Sequence, residues 1–594
     1  MRPRQRTPAL LCLLTLLAAA PAAAQTAKTA TDTLLAAMTA ELERSKELRL
    51  VSLDDAYFIE YSVDDAEFLT ITATLGALVS KSQTRLRAPR IQVRVGGYDF
   101  DNTNYVFSDF FTGRGGRIGQ APLDNDLIAL RSYFWLATDR AYKGALTAIA
   151  RKRAALKNVS QPQPLPDFSR AEPVVQVLKT AKLNLDDAAW TDTVRELSAV
   201  FSKYPEITRS SVSFSAIHSN TYLANSEGTV VRYPESVNFV QIRGEGQSAD
   251  GMALRNARVI QRLDATQMPT GPDLARSAEE VAEQLAALLE APMGESYVGP
   301  VLFEGMASGQ LFAQLLGNNV AIQRRPVAEP GRPVPFLSSE FEGRIGARVL
   351  PDWMNVVDDP LQSEWRGQPL LGTYGVDIEG LRPEPLALVE SGVLKSFLLT
   401  RQPIKGFSES NARARLPGQY GANSAHISNL FVQAKETVTE EDLKKRLIGI
   451  CEQRGKEYGI IIRRLDFPSS ASMAELRRQS NSARQSGGGG RLMSSPILAY
   501  KLYLDGREEL IRGLQFRGLT ARALRDIIAA SDQEHLFNFL GSNAPLSLLG
   551  AGGFVTASSV ISPSVLVEDI ELDQNTAELQ KPPIVPPPDL IASP

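Results

Sequence analysis

The chain contains 594 residues, with 64 basic and 67 acidic side chains and a formal charge of −3 at pH 7. Broad binding to nucleic-acid phosphates requires clustered positive charge, so this balance argues against such a protein, and we predict no nucleic-acid partner. Hydrophobic residues form 43% of the chain. At this length they are expected to fill the cores of two or more domains.

Residues 1–24 have the layout of a secretory signal peptide. Arg2, Arg4 and Arg6 precede an apolar run at residues 8–20, and small residues follow up to Ala24. The run is too short to span a bilayer comfortably. We therefore predict cleavage after Ala24 and export to a periplasm or to the extracellular space. No later stretch has about eighteen apolar residues in a row, so no membrane span is expected.

The two cysteines predict neither a disulfide nor a lipid anchor. Cys12 lies inside the signal peptide and follows two leucines, so the small residue that precedes a lipoprotein cysteine is missing. Its removal leaves Cys451 alone, and an intrachain disulfide is then impossible. Cys451 lies in an apolar helical segment without a His or Asn at a recognisable spacing. We interpret it as a buried, unreactive thiol.

The first half is predicted to combine long helices with a sheet that has one buried face and one polar face. Apolar and polar residues alternate at 64–79 and 90–95, which is typical of strands. Residues 124–126 (DND) offer N-cap groups to a helix expected at 127–156. Further predicted elements are a helix at 187–201, strands at 211–217, 222–224, 230–233 and 237–242, a hairpin turn at 225–228, and a helix beginning at a capping box of Ser277 and Glu280.

The second half is predicted to be richer in short strands. Strands are expected at 387–389, 393–399 and 459–465, and Thr439 with Asp442 caps a helix. The glycine run at 487–490 is not followed by the Lys-Ser/Thr pair of a phosphate-binding loop, so a flexible surface loop is expected.

Together these elements predict an α+β fold of two domains with mixed, largely antiparallel sheets and flanking helices. Pro292 and Gly294 end a helix, and the domain boundary is placed between residues 291 and 299. The predicted organisation is a signal peptide at 1–24, an N-terminal α/β domain at 25–292, a C-terminal strand-rich domain at 298–572 and a disordered, proline-rich tail at 573–594.

A series of phrases in this order resembles the TldD/PmbA family of zinc metallopeptidases, also described as modulators of DNA gyrase. No single phrase is diagnostic, but the ordered set is fairly specific and covers most of the chain after the signal. The phrases are residues 90–104 (RIQVRVGGYDFDNTN), 222–229 (YLANSEGT), 299–305 (GPVLFEG), 350–360 (LPDWMNVVDDP), 376–380 (VDIEG), 388–401 (LVESGVLKSFLLTR) and 410–415 (SNARAR).

The resemblance implies where a zinc site would lie. TldD-like members carry a His-Glu-x-x-x-His motif on a helix shortly after the GPVLFEG-like phrase, and a cysteine near the C-terminus completes the site. The two histidine positions fall here on Ala313 and Asn318, the glutamate position falls on Gln314, and the cysteine would lie near residues 550–555, where none occurs. We therefore predict no zinc and no other cofactor, as in the metal-free PmbA/TldE-like half of the family.

The family also implies partners, since its zinc-free half pairs with its zinc-bearing half. We predict a homologous zinc-bearing TldD-like subunit or self-association, and a peptide substrate. The leading hypothesis is an exported, non-catalytic member that binds peptide or serves as a partner subunit in proteolysis. Two alternatives remain open: an active hydrolase that uses carboxylates in place of the lost ligands, and an envelope interaction module held by the proline-rich tail.

Other polar residues are weaker site candidates. Arg413 and Arg415 replace part of the family's Ser-Asn-Gly-His-Gly-Arg phrase and could bind a peptide carboxylate, although solvated loop arginines are the simpler interpretation. Asp377 and Glu379, with the pair Asp358 and Asp359, could form a carboxylate site or occupy turns. The histidines His218, His426 and His535 lie far apart in sequence; His426 is expected near a strand as a structural residue and His535 at a helix start.

Overall fold

The computed structural model describes residues 32–47, 53–107, 109, 119–157, 165–329, 336, 338–418, 422–468, 493–541 and 556–575. The predicted signal peptide, the glycine run, residues 550–555 and almost all of the proline-rich tail lie outside these residues.

The first half of the chain folds into a long, mostly antiparallel sheet. Its strands are β1 (Ala56–Thr74), β2 (Ala77–Val95), β4 (Val175–Val177), β5 (Arg209–Asn225), β6 (Val230–Gln247) and β7 (Ala253–Arg262), and a short β3 (Tyr105–Val106) lies apart from it. Over the described residues the strand order is β2-β1-β5-β6-β4, with β7 also paired to β6. β4 runs parallel to β6.

The strands of this sheet are longer than predicted. A single strand was expected at 64–79. Instead, β1 ends at Thr74 and the chain reverses direction into β2 at Leu75 and Gly76, whose φ angles of 47° and 81° lie in the left-handed region. β5 continues through the polar residues 218–221, which interrupt the predicted strands. Pairing with β1 on one side and β6 on the other satisfies the backbone of that polar stretch.

In the part of the first half that the structure describes, four α-helices pack against this sheet. They are α1 (Thr33–Ser45), α2 (Leu127–Leu156), α3 (Asp187–Ala199) and α4 (Gly271–Glu290). The prediction for α2 is confirmed, and the carboxylate of Asp126 accepts a hydrogen bond from the backbone N–H of Ala129. The predicted start of α4 is wrong. The helix begins at Gly271, and the Ser277 hydroxyl inside it donates to the Asp273 carbonyl.

The second half builds a larger sheet around β8 (Tyr297–Phe303) and β23 (Thr556–Gln574). Its other strands are β10 (Met354–Asp358), β13 (Leu386–Glu390), β14 (Val393–Leu394), β17 (Asn429–Ala434), β18 (Tyr458–Leu465), β19 (Pro496–Tyr503), β20 (Glu508–Ile511), β21 (Leu514–Phe516) and β22 (Ile527–Gly541). Within the described ranges the order is β14-β13-β10-β17-β23-β8-β18-β19-β20, and β21 and β22 also pair with β23. His535, expected at a helix start, lies inside β22, so that prediction is wrong.

In the described part of the second half, short strand pairs and three α-helices complete the fold. β9 (Val327–Ala328) pairs with β3 of the first half, β11 (Glu364–Trp365) with β12 (Gln368–Pro369), and β15 (Ala414–Pro417) with β16 (Asn423–Ala425). The helices are α5 (Met306–Leu311), α6 (Asn318–Val320) and α7 (Glu440–Gln453). The predicted capping of α7 is confirmed, because the Thr439 hydroxyl accepts from the backbone N–H of Asp442.

The two halves are joined by ion pairs between distant parts of the sequence. Arg401 Nη2 lies 2.7 Å from Glu227 Oε1, and Arg512 Nη2 lies 2.8 Å from Asp250 Oδ2. The predicted α+β fold with largely antiparallel sheets is confirmed. None of the helices in the described ranges is both long and apolar enough to cross a membrane.

Candidate functional site

The segment that corresponds to the family's zinc motif forms one interrupted helix, called here the motif helix. It follows β8 through Gly305, whose positive φ of 58° allows a sharp turn into α5. A π-helical turn spans Phe312–Gly317, and α6 completes the helix. Apolar side chains along it, among them Leu311, Phe312 and Leu316, lie in the main core of the second half.

The π-helical turn brings the two motif positions Ala313 and Asn318 together. The backbone N–H of Asn318 donates to the carbonyl oxygen of Ala313, five residues before it. In a regular α-helix, residues five apart point about 140° away from each other. A turn closed by an i to i+5 hydrogen bond instead stacks them on nearly the same face. Such turns are rare and occur frequently at functional sites.

The side chains on this frame do not suit a zinc ion. Ala313 offers a methyl group that is only 5% exposed. The Gln314 amide is engaged on both sides: its Nε2 donates to Ser494 Oγ at 2.7 Å, and its Oε1 accepts from the Ser494 backbone N–H at 3.0 Å. Zinc in proteins takes imidazole, thiolate or carboxylate ligands, and a glutamine amide cannot accept a proton as a general base at neutral pH. Within the described residues, no three His, Cys, Asp or Glu side chains are grouped so as to hold a metal ion.

Close packing fixes the motif helix in place. A Cβ atom at Gly309 would come within 2.6 Å of Phe537 Cβ, and one at Gly317 within 3.0 Å of Ile427 Cδ1. Gln310 bonds both backbone groups of Leu465, accepting from its N–H at 2.7 Å and donating to its carbonyl at 3.4 Å. The helix is therefore held by hydrogen bonds and by small residues that a larger side chain could not replace without movement.

A cavity of about 350 Å³ lies against the first turns of the motif helix. Met306 and Gln310 form one part of its wall, residues 257–262 of β7 another, and residues 536–538 of β22 a third. The cavity therefore lies between a strand of the first sheet and a strand of the second. Its size falls in the range of small-ligand pockets.

Arginines that no sequence motif had indicated line this cavity. Arg258 and Arg262 lie on β7, while Arg464 comes from β18 of the other half. Each is an ordinary polar position of a strand when it is considered alone. Only the pairing of the two halves brings them together, so periodicity and motif spacing could not identify them.

Asp377 and Glu379, two of the predicted candidates, form a buried acidic pair. Asp377 Oδ1 accepts from the backbone N–H groups of Glu379 and Leu381, and its Oδ2 accepts from Ala414 N–H. Glu379 accepts from the backbone N–H of Arg401 at 2.7 Å. Burial raises the pKa of Asp377 to about 8, and the neighbouring Glu379 adds to the rise.

Arg413 and Arg415, the other predicted candidates, lie in different surroundings. Arg413 is fully buried, and its Nε donates to Asp358 Oδ1 at 2.7 Å. Its remaining donors bond carbonyl oxygens of Asp358, Asn411 and Glu384. Arg415 is half-buried over the ring of Tyr374 and donates to two backbone carbonyls. These contacts suit a structural role for Arg413, since none of its donor nitrogens is turned to an open surface.

The three histidines lie in three separate places. His218 on β5 bonds Ser236 Oγ at 2.6 Å, and His426 lies beside Ser558 and Phe539. His535 Nε2 lies 2.7 Å from Glu440 Oε1 at the start of α7. Cys451 is buried, and burial raises the pKa of its thiol. Its position agrees with the predicted unreactive thiol.

The comparisons with known proteins point to one family. Residues 296–465 match the PmbA/TldA metallopeptidase C-terminal domain. A metalloprotease of Archaeoglobus fulgidus is 25% identical over 226 residues, which are 38% of this chain and 48% of that protein. One of Methanothermobacter thermautotrophicus is 24% identical over 206 residues, 33% of this chain and 40% of that protein. The chain thus spans less than half the length of these curated relatives.

Solved structures show the same fold over most of the chain. TldE from Thermococcus kodakarensis has a TM-score of 0.54 at 13% identity, covering 90% of this chain and 100% of that one. A Thermotoga maritima protein described as a candidate modulator of DNA gyrase has a TM-score of 0.53 at 14% identity, covering 87% and 96%. At such low identity these likenesses establish the fold and not the activity.

Proposed function

Because the chain belongs to the TldD/PmbA metallopeptidase family, we propose that it is an exported, non-catalytic member that binds peptide and pairs with a zinc-bearing homologue. The same polypeptide then contributes to proteolysis without performing the bond cleavage itself. The zinc and the general base belong to the partner subunit.

One observation carries this proposal. The backbone of the motif helix would place two ligands five residues apart on the same face, but the side chains at these positions cannot bind zinc. Ala313 and Asn318 occupy that shared face. Gln314, at the position of the glutamate base, forms two hydrogen bonds with Ser494. A retained frame with an amide in place of a base fits a subunit whose catalytic role has been lost and whose fold has been kept.

The edge strands beside the motif helix support peptide binding. Among the described residues β7 pairs with the single strand β6, and β22 pairs with the single strand β23 apart from one bridge between Ser531 and Val438. An extended peptide can bind such an edge through main-chain hydrogen bonds, while pockets select its side chains. The cavity between β7 and β22 offers both features next to the motif helix.

The test is co-expression with a zinc-bearing TldD-like homologue encoded in the same genome. A tag on this chain should recover the homologue in a fixed ratio, and light scattering after size-exclusion chromatography should give the mass of a mixed assembly. The control is a homologue whose first motif histidine is replaced by alanine; it should still pair but should cleave no peptide. Recovery of this chain alone, under conditions in which both proteins are folded, would contradict the proposal.

A second candidate function is a hydrolase that uses the buried carboxylates. The raised pKa of Asp377 is the observation that favours it, since such shifts cluster at functional sites. This candidate predicts peptide cleavage by the isolated chain that is lost in Asp377→Asn and Glu379→Gln. Equal turnover in the variants, or none in the unmodified chain, would reject it.

A further inference from the structure

We propose that the cavity beside the motif helix binds the carboxylate of a short apolar peptide, with Arg262 and Arg464 as its charged contacts. The inference deepens the proposed function and rests on it, because it assigns a chemical group to the peptide and a place where that group is bound.

The charges around the cavity leave two arginines without acidic partners. Arg258 forms an ion pair with Glu280, and Arg276 Nη1 lies 3.7 Å from Asp273 Oδ1. These pairs use both acidic residues of the lining. Arg262 and Arg464 have no carboxylate within ion-pair distance among the described residues, although Glu280 attracts Arg464 from farther away. The cavity therefore carries two positive charges that lack a direct ionic contact.

The hydrogen bonds of these two arginines are made to neutral groups. Arg464 Nη1 donates to Asn256 Oδ1 at 2.9 Å and to Gln284 Oε1 at 3.2 Å. Arg262 Nη1 donates to the carbonyl oxygen of Gln261 at 2.7 Å. Each guanidinium carries five N–H donors, so both keep donors for a further acceptor. A carboxylate can accept two of them side by side.

The surroundings make a positive charge costly unless an anion joins it. Burial, together with the nearby positive charge of Arg258, lowers the pKa of Arg464 to about 10 in spite of the opposing attraction of Glu280. Burial also lowers the pKa of Arg262. A bound carboxylate would offset this cost directly, because opposite charges interact strongly where water is partly excluded.

The rest of the lining suits an apolar peptide body. Met306, Phe467 and Phe537 present hydrophobic surface, and Gln261 and Asn538 lie among them. The backbone of β7 runs along the cavity through residues 257–262. A few apolar residues with one negative group therefore match the cavity in volume, polarity and charge.

Calorimetric titration of the purified chain with three peptides tests the site. The probes are acetyl-Ala-Ala-Phe with a free carboxyl group, the same peptide as its C-terminal amide, and acetyl-Ala-Asp-Phe amide. We expect at least one carboxylate-bearing probe to bind about tenfold or more tightly than the uncharged amide, as charge-assisted hydrogen bonds predict. Preference for the first probe identifies a peptide C-terminus, and preference for the third identifies an acidic side chain.

Variants assign the effect to the two arginines. Arg262→Gln should reduce the acid-to-amide affinity ratio to near one, whereas Arg262→Lys should keep most of it. Arg464→Gln is the second test, with its melting temperature checked because Arg464 also bonds Asn256 and Gln284. Arg209→Gln, a change at an arginine whose side chain is 80% exposed on β5, is the control and should leave the ratio unchanged.

Three results would overturn the inference: equal binding of all three probes, no binding of any probe at millimolar concentration, or an unchanged ratio in both Arg262→Gln and Arg464→Gln. Equal binding would still leave peptide binding and subunit pairing intact. Failure of this site is therefore distinguishable from failure of the proposed function.

Discussion

The backbone N–H of Asn318 donates a hydrogen bond to the carbonyl oxygen of Ala313. This single i to i+5 bond stacks the two positions that correspond to the family's zinc-binding histidines. The π-helical turn is therefore compatible with a His-Glu-x-x-x-His spacing, in which the ligands are also five residues apart. In this chain the turn remains while an alanine and an asparagine occupy those positions.

Gln314 is expected to contribute to stability. Gln314→Ala removes two hydrogen bonds and leaves the buried N–H of Ser494 without its acceptor, which should lower the free energy of unfolding by about 2–4 kcal/mol. Ser494→Ala is the matched control, since it removes only the hydroxyl and should cost about 1 kcal/mol. Urea unfolding followed by fluorescence measures both. A cost for Gln314→Ala no larger than that of the control would show that the amide does not anchor the motif helix.

Arg413 is expected to be essential for folding stability. Arg413→Ala leaves the buried carboxylate of Asp358 without its cation and should lower the free energy of unfolding by about 3–5 kcal/mol. Arg415→Ala provides the comparison, because Arg415 is only half-buried and bonds two backbone carbonyls at 3.1–3.2 Å. Its cost should be about 1 kcal/mol. If the two variants unfolded at the same urea concentration, the buried pair would not have the assigned role.

Most of the fold class could be predicted from the sequence, because the periodicity of hydrophobic residues and the capping residues are local signals of helices and strands. α2 was predicted with the correct bounds from its periodicity and from its Asp-Asn-Asp cap. The β1–β2 hairpin was missed because its turn uses Leu75-Gly76 rather than an Asn-Gly pair, inside a continuous alternating pattern. His535 was misassigned because a polar stretch resembled a helix start, whereas pairing with β23 keeps it in β22.

The candidate site was only partly readable. The phrase order located the motif helix, but a π-helical turn has no sequence signature in Leu311, Phe312 or their neighbours. The cavity arginines escaped notice because they come from strands about two hundred residues apart that meet only after the two halves pack together. Arg413 and Asp358 were weak site candidates, with a solvated loop and a turn as the simpler interpretations. Their burial was not foreseen, because burial of a charge depends on a partner that the sequence does not identify.

The acidic pair should give a distinctive pH dependence. The folded-state pKa of Asp377 is raised to about 8, whereas an unfolded aspartate titrates near 3.9. Between these values the folded state holds a proton that the unfolded state has lost, so the contribution of Asp377 to stability falls as the pH rises from about 4 to 8. Glu379→Gln removes the neighbouring negative charge, so the pKa of Asp377 should be lower in this variant. The contribution of Asp377 to stability should then be lost completely at a lower pH than in the unmodified chain.

Melting temperatures recorded in half-unit steps from pH 4 to 9 test this shift. The difference between the unmodified chain and Glu379→Gln is the informative quantity, because it isolates the Glu379 charge, which raises the pKa of Asp377 and also that of Glu60. Parallel melting curves for the two proteins across the whole range would show that Asp377 and Glu379 do not influence each other's protonation.

Thiol counting tests burial and processing together. Cys451 is fully buried, and burial raises the pKa of its thiol, so Ellman's reagent should not react with the folded protein. In denaturant, the protein should show one thiol per chain if the predicted cleavage after Ala24 removes Cys12 with residues 1–24. Two thiols per chain would mean that the signal peptide is retained, and a rapid reaction in the folded state would mean that Cys451 is accessible.

The most direct measurement of the central claim is the zinc content of this chain, purified alone and purified as a complex with a zinc-bearing homologue. Mass spectrometry of the metal should find far less than one zinc per chain in the first sample and one zinc per pair in the second. Only the second sample should cleave peptides, and a chelator should stop that cleavage. One zinc per chain with chelator-sensitive cleavage in the first sample would contradict the account.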